Sequence, residues 1–351
     1  MITRRTVIAA AAGGLALVCA SWPALAQAPA PYEIDQALID AAKKEGTAVW
    51  YTATDVQVSE KVGKAFEEKY PGMKVQVERA GSERVFQRIS QEYGSNIFRP
   101  DVIETSDAVH FLLFKRQGWL QPLVPSDVAK SWPAQVRDPD GQFAAYRAHL
   151  SVIGYNTTQV KKDEAPKSHA DLLDRKWRNR MVKAHPGYSG TVMTGTHALS
   201  EALGWDFLEK LSQQRIMQVQ SSTEPPKKLA QGERSVMADG NEYNMFMLKE
   251  SGVPVEIVYA AEGTPIAIGH AGVLKNAPHP NAAKLFYAFL FTPETQQLIS
   301  DVGGLRSFHP AVKEKAERTP LSQIKVLYSD PMKLEPQIED IKKKYEQYFG
   351  T

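Results

Sequence analysis

Cysteine is nearly absent from this chain. The one cysteine, Cys19, lies in an apolar stretch ahead of a small-x-small site, so a processed chain has no disulfide, no thiolate nucleophile and no Cys metal ligand. Val18, immediately before it, is larger than the residue a lipid anchor on Cys19 would want. Net charge is also lacking. The formal +2 of the full chain falls by two, to zero, once a leader carrying Arg4 and Arg5 and no acid is removed. A neutral surface argues against nucleic acid and polybasic membrane attachment. No apolar run reaches the roughly 20 residues that a membrane helix needs. The run from Val7 to Ala20 has 14 residues and includes Gly13-Gly14. Repeats, heptads and low-complexity segments are missing, which excludes solenoids and coiled coils. So are a His-Glu-x-x-His pair and a phosphate loop ending in Gly-Lys-Ser/Thr.

The first residues carry the clearest signal. Arg4-Arg5, the apolar run and Ala24-Leu25-Ala26 form the layout of a cleaved bacterial export signal over residues 1–26. The paired arginines before Thr6-Val7-Ile8 suggest the twin-arginine route, with Val7 where that pattern usually has Phe. The expected location is the periplasm. About 325 residues remain after the leader, more than one core usually holds, so two lobes are expected.

The rest reads as alternating short strands and helices. Ile34 to Glu45 has helical apolar spacing with Gly46 as a stop, and Ala48-Val49-Trp50-Tyr51 is a buried-strand run. A helix from Val58 to Tyr70, a strand Lys74-Val75-Gln76-Val77, a helix from Ser82 through Tyr93, a strand Val102 to Glu104 and a helix stopped by Gly118 follow. Three strand-loop-helix units in a row predict a parallel α/β sheet with right-handed crossovers, whose ligands bind at the C-terminal strand ends. After the turn cluster Asp138-Pro139-Asp140-Gly141 a second series begins, with strands at Val152 to Tyr155, Met181 to Lys183, Met217 to Gln220, Val236 to Ala238 and Val255 to Tyr259. The apolar stretch Ile266 to Leu274 and the helix after Pro280 read as a return to the first lobe.

Four segments together carry a family likeness. Ser189-Gly190-Thr191, Ser221-Ser222 before Pro225-Pro226-Lys227-Lys228, Glu262-Gly263-Thr264-Pro265-Ile266, and Ala277-Pro278-His279-Pro280 with Ala282-Ala283-Lys284-Leu285-Phe286 resemble the family-1 extracellular solute-binding proteins of ABC importers. The likeness is nearest to their ferric-iron-binding-like branch and spans essentially the whole processed chain. It implies a type II periplasmic-binding-protein fold, with two α/β lobes, each a mixed, mostly parallel sheet flanked by helices, and two strand crossovers at the hinge. On that reading, residues 33–145 with 262–310 form one lobe and 146–261 with 311–351 the other. The ligand sits between them, and the partners are a small solute and an inner-membrane permease, with the receptor a monomer that uses no cofactor.

Candidate contacts lie in the strand-end loops. Thr54 and Asp55 follow the first strand, and Asp55 or Ser59 could equally cap the next helix. Ser82 and Ser106-Asp107 begin helices, where a hydroxyl either caps or faces an anion and an acid suits the macrodipole. Tyr188-Ser189-Gly190-Thr191 is the strongest local signal. Its glycine permits close approach, its two hydroxyls donate and the helix start offers unpaired N–H groups, chemistry suited to a phosphate, phosphonate or carboxylate oxygen. A well-capped helix is the alternative. Ser222 is similar but weaker, in ordinary loop composition. The iron-binding members of the branch usually carry two adjacent tyrosines where this chain reads Asn241-Glu242-Tyr243-Asn244. One phenolate with neutral amides is a poor site for a hard trivalent cation. Asn241 and Tyr243 are therefore expected to wall an organic-anion pocket, with ferric ion held by Tyr243 as the alternative. An exported hydrolase is more remote, because the nucleophile elbow needs glycine where Thr191 stands.

Overall fold

The computed structural model describes residues 28–350; the export signal expected over 1–26 lies outside the described residues. The first helix, α1 (Gln36–Glu45), starts where the Asp35 side chain accepts from the Leu38 N–H, and stops at Gly46 in the left-handed region at φ 74°. Three strand-loop-helix units follow: β1 (Thr47–Thr52) and α2 (Val56–Lys69), β2 (Lys74–Arg79) and α3 (Ser82–Gly94), β3 (Val102–Thr105) and α4 (Ala108–Arg116). β1 runs parallel to both β2 and β3. Their C-terminal ends therefore meet at one sheet edge, as the sequence predicts for a ligand-binding rim.

The short β4 (Leu120–Gln121) and α5 (Ser126–Ser131) lead to β5 (Ala144–Leu150), which runs almost directly into β6 (Ile153–Asn156). β5 was not among the strands expected from the sequence, which placed only a turn cluster and Val152 to Tyr155 in this region. Its expected lobe boundary at 145/146 falls inside this strand. Next come β7 (Met181–Ala184), α6 (Gly190–Leu203), α7 (Trp205–Ser212), β8 (Met217–Val219), α8 (Glu224–Ala230), β9 (Val236–Met237), α9 (Glu242–Glu250) and β10 (Val255–Val258). Pro225 and Pro226 open α8, where the missing N–H groups have no helical partner to lose. The chain returns through β11 (Thr264–Leu274), α10 (Pro280–Leu290) and α11 (Pro293–Gly303), and ends with β12 (Val326–Leu327), α12 (Pro331–Leu334) and α13 (Ile338–Phe349).

Two mixed sheets result. The first has the order β12-β11-β3-β1-β2, with β4 and β5 also paired to β11; the second has the order β10-β6-β9-β7-β8. β11 is antiparallel to β3, β4 and β5. β5 and β11 are thus a two-stranded ribbon by which the chain leaves the first sheet and comes back to it. The first core is aromatic: Trp50 meets Phe286 at 5.3 Å and Phe66 meets Phe286 at 5.1 Å, all edge-on. The second core gathers Trp177, Phe207, Leu208, Leu211 and Val236. α13 packs against α6 and α7, with buried Ile341 beside Val109, Met193 and Leu334 and buried Tyr345 hydrogen-bonded to Lys183 of β7, which leaves Lys343 and Lys344 outward.

Candidate ligand-binding cleft

Between the rim of the first sheet and the N-terminal end of α6 lies a cleft lined by Ala53, Arg79, Gly81, Ser82, Ser106, Arg147, His149, Ser189, Thr191, Ser221, Ser222, Asn241 and Tyr243. About 10 Å³ is left free, because the two sides bond directly to each other. The Thr191 hydroxyl donates to Ser106 Oγ at 3.1 Å, Arg79 Nη2 donates to Ser221 Oγ at 3.3 Å, and Asn244 Nδ2 donates to Asp55 Oδ2 at 3.3 Å. Gly190 makes that approach possible. A Cβ there would stand 2.7 Å from Asp107 Cβ and 3.3 Å from Ser82 Cβ, closer than side chains pack.

The charge in the cleft is organised from beneath by Glu104, which is fully buried. Its Oε2 accepts from the Thr52 hydroxyl at 2.6 Å and from the Ala53 N–H, the Thr54 N–H and the Thr54 hydroxyl, each at 3.0 Å. Its Oε1 is 2.9 Å from Arg147 Nη2. Arg147, 1% exposed, also donates from Nε to Thr54 Oγ1 at 2.8 Å and lies 2.8 Å from His149 Nδ1 through Nη1. Burial first, and then the Arg147 charge, hold the His149 pKa well below the ordinary imidazole value. The ring is therefore neutral near pH 7. A guanidinium can only donate, so Nδ1 is the acceptor and the proton is on Nε2, 3.1 Å from Thr191 Oγ1. Thr191 donates its hydroxyl hydrogen bond to Ser106, whose Oγ is 2.6 Å from Ser82 Oγ. One arginine thereby orients a row of donors that ends at the serines. Tyr243 stacks edge-on against His149 at 5.4 Å. Burial pushes its phenol up to about 12, so it is an uncharged hydrogen-bonding wall.

Seven of the residues singled out from the sequence line this cleft: Ser82, Ser106, Ser189, Thr191, Ser222, Asn241 and Tyr243. Ser189 stands at the N-cap position of α6 without using its side chain as a cap, which leaves the hydroxyl for the cleft. Five others sit elsewhere. Thr54 lies one layer back, between Glu104 and Arg147. Asp55 caps α2 by accepting from the Gln57 N–H, and Asp107 caps α4 by accepting from the Val109 N–H. Gly190 is a spacer, and Tyr188 points outward at 45% exposure. Arg79, Arg147 and His149 were not read as site residues. The signal for the last two was alternation: in Ala144-Ala145-Tyr146-Arg147-Ala148-His149-Leu150 they share one face of an extended strand.

Metal-ligating side chains are committed elsewhere. Arg306 forks onto Glu242 at 2.9 and 2.7 Å, and the Tyr259 hydroxyl donates to the same carboxylate at 2.6 Å. That takes Glu242 away from any cation beside Tyr243. Glu83, Asp107 and His110 converge behind α4, with His110 Nε2 2.9 Å from Glu83 Oε1 and 4.0 Å from Asp107 Oδ2. Burial alone would discharge His110, but Asp107 and Glu83 more than offset it and raise its pKa. His110 and Glu83 form the hydrogen-bonded pair of this cluster, and Asp107 Oδ2 beside them has no hydrogen-bond partner.

Comparison with known proteins adds an independent line. The sequence profile of a family described as bacterial extracellular solute-binding protein matches residues 99–327. An uncharacterized protein of Haemophilus influenzae is 26% identical over 273 residues, covering 75% of this chain and 78% of its own length. Iron uptake protein A1 of Synechocystis is 24% identical, covering 65% of this chain and 67% of its own length. Among solved structures, the periplasmic binding protein AfuA from Actinobacillus pleuropneumoniae, with exogenous fructose-6-phosphate bound, superimposes with a TM-score of 0.79 at 23% identity, over 87% of this chain and 99% of that one. Iron-bound HitA from Pseudomonas aeruginosa superimposes with a TM-score of 0.73 at 21% identity, over 86% of this chain and 99% of that one. At these identities the structures show the fold, that of the type II periplasmic binding proteins.

Proposed function

Because the chain belongs to the bacterial extracellular solute-binding proteins, we propose that it is the periplasmic receptor of an ABC importer for a small organic anion: a phosphonate, an organophosphate or a carboxylate. One observation supports the anion most directly. The immediate lining of the cleft has two arginines, a neutral histidine and six hydroxyl-bearing serine, threonine and tyrosine side chains besides Ser221, while the nearby Asp55 carboxylate is taken up by the Gln57 N–H and Asn244. Arg79 forms no ion pair among the described residues, so its charge is available to a ligand. We assign residues 33–145 with 262–310 to one lobe and 146–261 with 311–351 to the other, with the β5–β11 ribbon as the crossover.

Binding then works by exchange. The direct bonds across the closed cleft, each worth about 0.5–1.5 kcal/mol net, give way to bonds from both sides to the solute. The solute touches both lobes only when they close, so it shifts the population toward the closed form and presents that form to a permease. Residues 1–26, read as an export signal, deliver the receptor to the periplasm by the twin-arginine route.

The test begins with protein unfolded and refolded to strip carried-over solute. Melting temperatures are then taken against organophosphates, phosphonates, carboxylates and ferric citrate. A ligand at about 100 times its dissociation constant adds about 2.7 kcal/mol, a shift of several degrees. Replacing Ser189 and Thr191 together by alanine should weaken the anion that scores; unchanged affinity would remove this loop as the anchor. A second reading rests on Tyr243 lining the cleft: ferric ion held by that phenolate. An intense visible charge-transfer band on adding ferric citrate, lost in Tyr243→Phe, would establish it over the anion.

A further inference from the structure

A second cavity, of about 210 Å³, lies against the crossover ribbon away from the cleft. Its walls include Leu112 of α4, Phe143, Ile266 and Ile268 of β11, Thr194 of α6 and Leu334 of α12. Ile266 and Ile268 pair with Leu150 and Ala148, whereas the intervening Ala267 and Gly269 pair with His149 and Arg147. Side chains alternate along a strand, so this cavity and the cleft face opposite sides of one ribbon. The two sites share no lining residue.

Two buried polar atoms among the residues lining this chamber have no hydrogen-bond partner, Asp107 Oδ2 and His270 Nδ1. His270 is 7% exposed and lines the cavity, held edge-on by Phe143 at 5.5 Å and at a tilt by Phe111 at 5.9 Å, and its Nδ1 makes no hydrogen bond. A buried nitrogen left unmatched costs stability unless something in the cavity bonds to it. Burial drives the His270 pKa down to about 4, so the ring is neutral near pH 7. The charged residues at the mouth are engaged: Arg137 donates to the Val128 and Ala129 carbonyls, and Asp138 accepts from Lys115.

We propose that this chamber is a second binding site, for a small molecule with an aromatic or short aliphatic body and a hydrogen-bonding group that meets His270 Nδ1. Apolar side chains such as Leu112, Phe143, Ile266 and Ile268 interspersed with a few polar groups are the usual composition of a small-molecule pocket. The site needs no assumption about the solute in the cleft.

Benzyl alcohol and toluene make the test pair, since they match in shape and only the first can donate to or accept from His270. In methyl-labelled protein, benzyl alcohol should move the resonances of Leu112, Ile266, Ile268 and Leu334 together and leave that of Leu208, in the second core, in place. Toluene should move the same set with an affinity roughly three- to tenfold weaker, the worth of one hydrogen bond. His270→Phe should erase that preference while toluene still binds. If neither compound moves those methyls at millimolar concentration, or if both bind equally well to the unaltered protein, the proposal fails.

Discussion

The two sides of the cleft are made of different materials. The first sheet and its ribbon supply both arginines and the buried Glu104 that fixes one of them. The side carrying α6 and α9 supplies Ser189, Thr191, Ser221, Ser222, Asn241 and Tyr243, none of them charged near pH 7. Charge placed in a low-dielectric wall must be held by other groups at every moment, or its desolvation is uncompensated. Hydroxyls and amides carry no such obligation and can exchange one partner for another. The charged side is therefore built to stay put, and the polar side to let go.

That contrast can be broken at its base. Glu104→Ala leaves Arg147 buried without its counter-ion and releases Thr52 and Thr54, so it should destabilise the protein by about 3–5 kcal/mol in urea unfolding. A loss under about 1 kcal/mol would mean that the network is not holding the charge. Arg79 sharpens the same point from the ligand side. Arg79→Gln should weaken an anion by about 1.5–3 kcal/mol, or roughly 10–100-fold in Kd, and change stability by less than about 0.5 kcal/mol. Equal losses in binding and stability would contradict it.

The polar side is tested by keeping it away. Gly190→Ala puts a methyl 2.7 Å from Asp107 Cβ, and overpacking of this kind costs about 1–3 kcal/mol. Small-angle scattering should show a larger radius of gyration without solute, and solute affinity should drop accordingly. The smallest effect concerns protons. His270 and His149 both have lowered pKa values, so the folded state binds fewer protons than the unfolded one. Stability from each is complete above the unfolded value near 6.5 and falls as the pH drops below it. His110 works in the opposite sense: its raised pKa gives stability that is lost as pH rises through the folded value. The melting temperature should decline from pH 7 to pH 5, and His270→Phe should flatten that decline.

Much of this architecture was readable in advance, for local reasons. Gly46 and Gly118, both in the left-handed region and both read as helix stops, are decided by nearest neighbours. Period and punctuation therefore placed the three units before β4. β5 escaped because alanines dilute its apolar face and because its burial comes from β11, more than a hundred residues away. The arginine and histidine it carries escaped with it. Asp55 and Asp107 illustrate the converse: the sequence showed acids at strand ends, but only the folded chain decides whether such an acid caps a helix or meets a ligand.

The interleaving of the first sheet has a consequence for the order of assembly. Strands β6 to β10 are contiguous in the chain, so the second sheet can form by closing comparatively short loops. The first sheet cannot be completed until β11 arrives, with Val273 pairing back to Val102 and Gly272 to Ile103. Loop-closure entropy is then met before those long-range contacts form. During synthesis the unit containing α6 and Tyr243 should be the first to acquire protection from hydrogen exchange, and the arginine-bearing wall the last. Until β11 is seated, the exposed edge of β3 is where a growing chain is most open to pairing with the wrong partner.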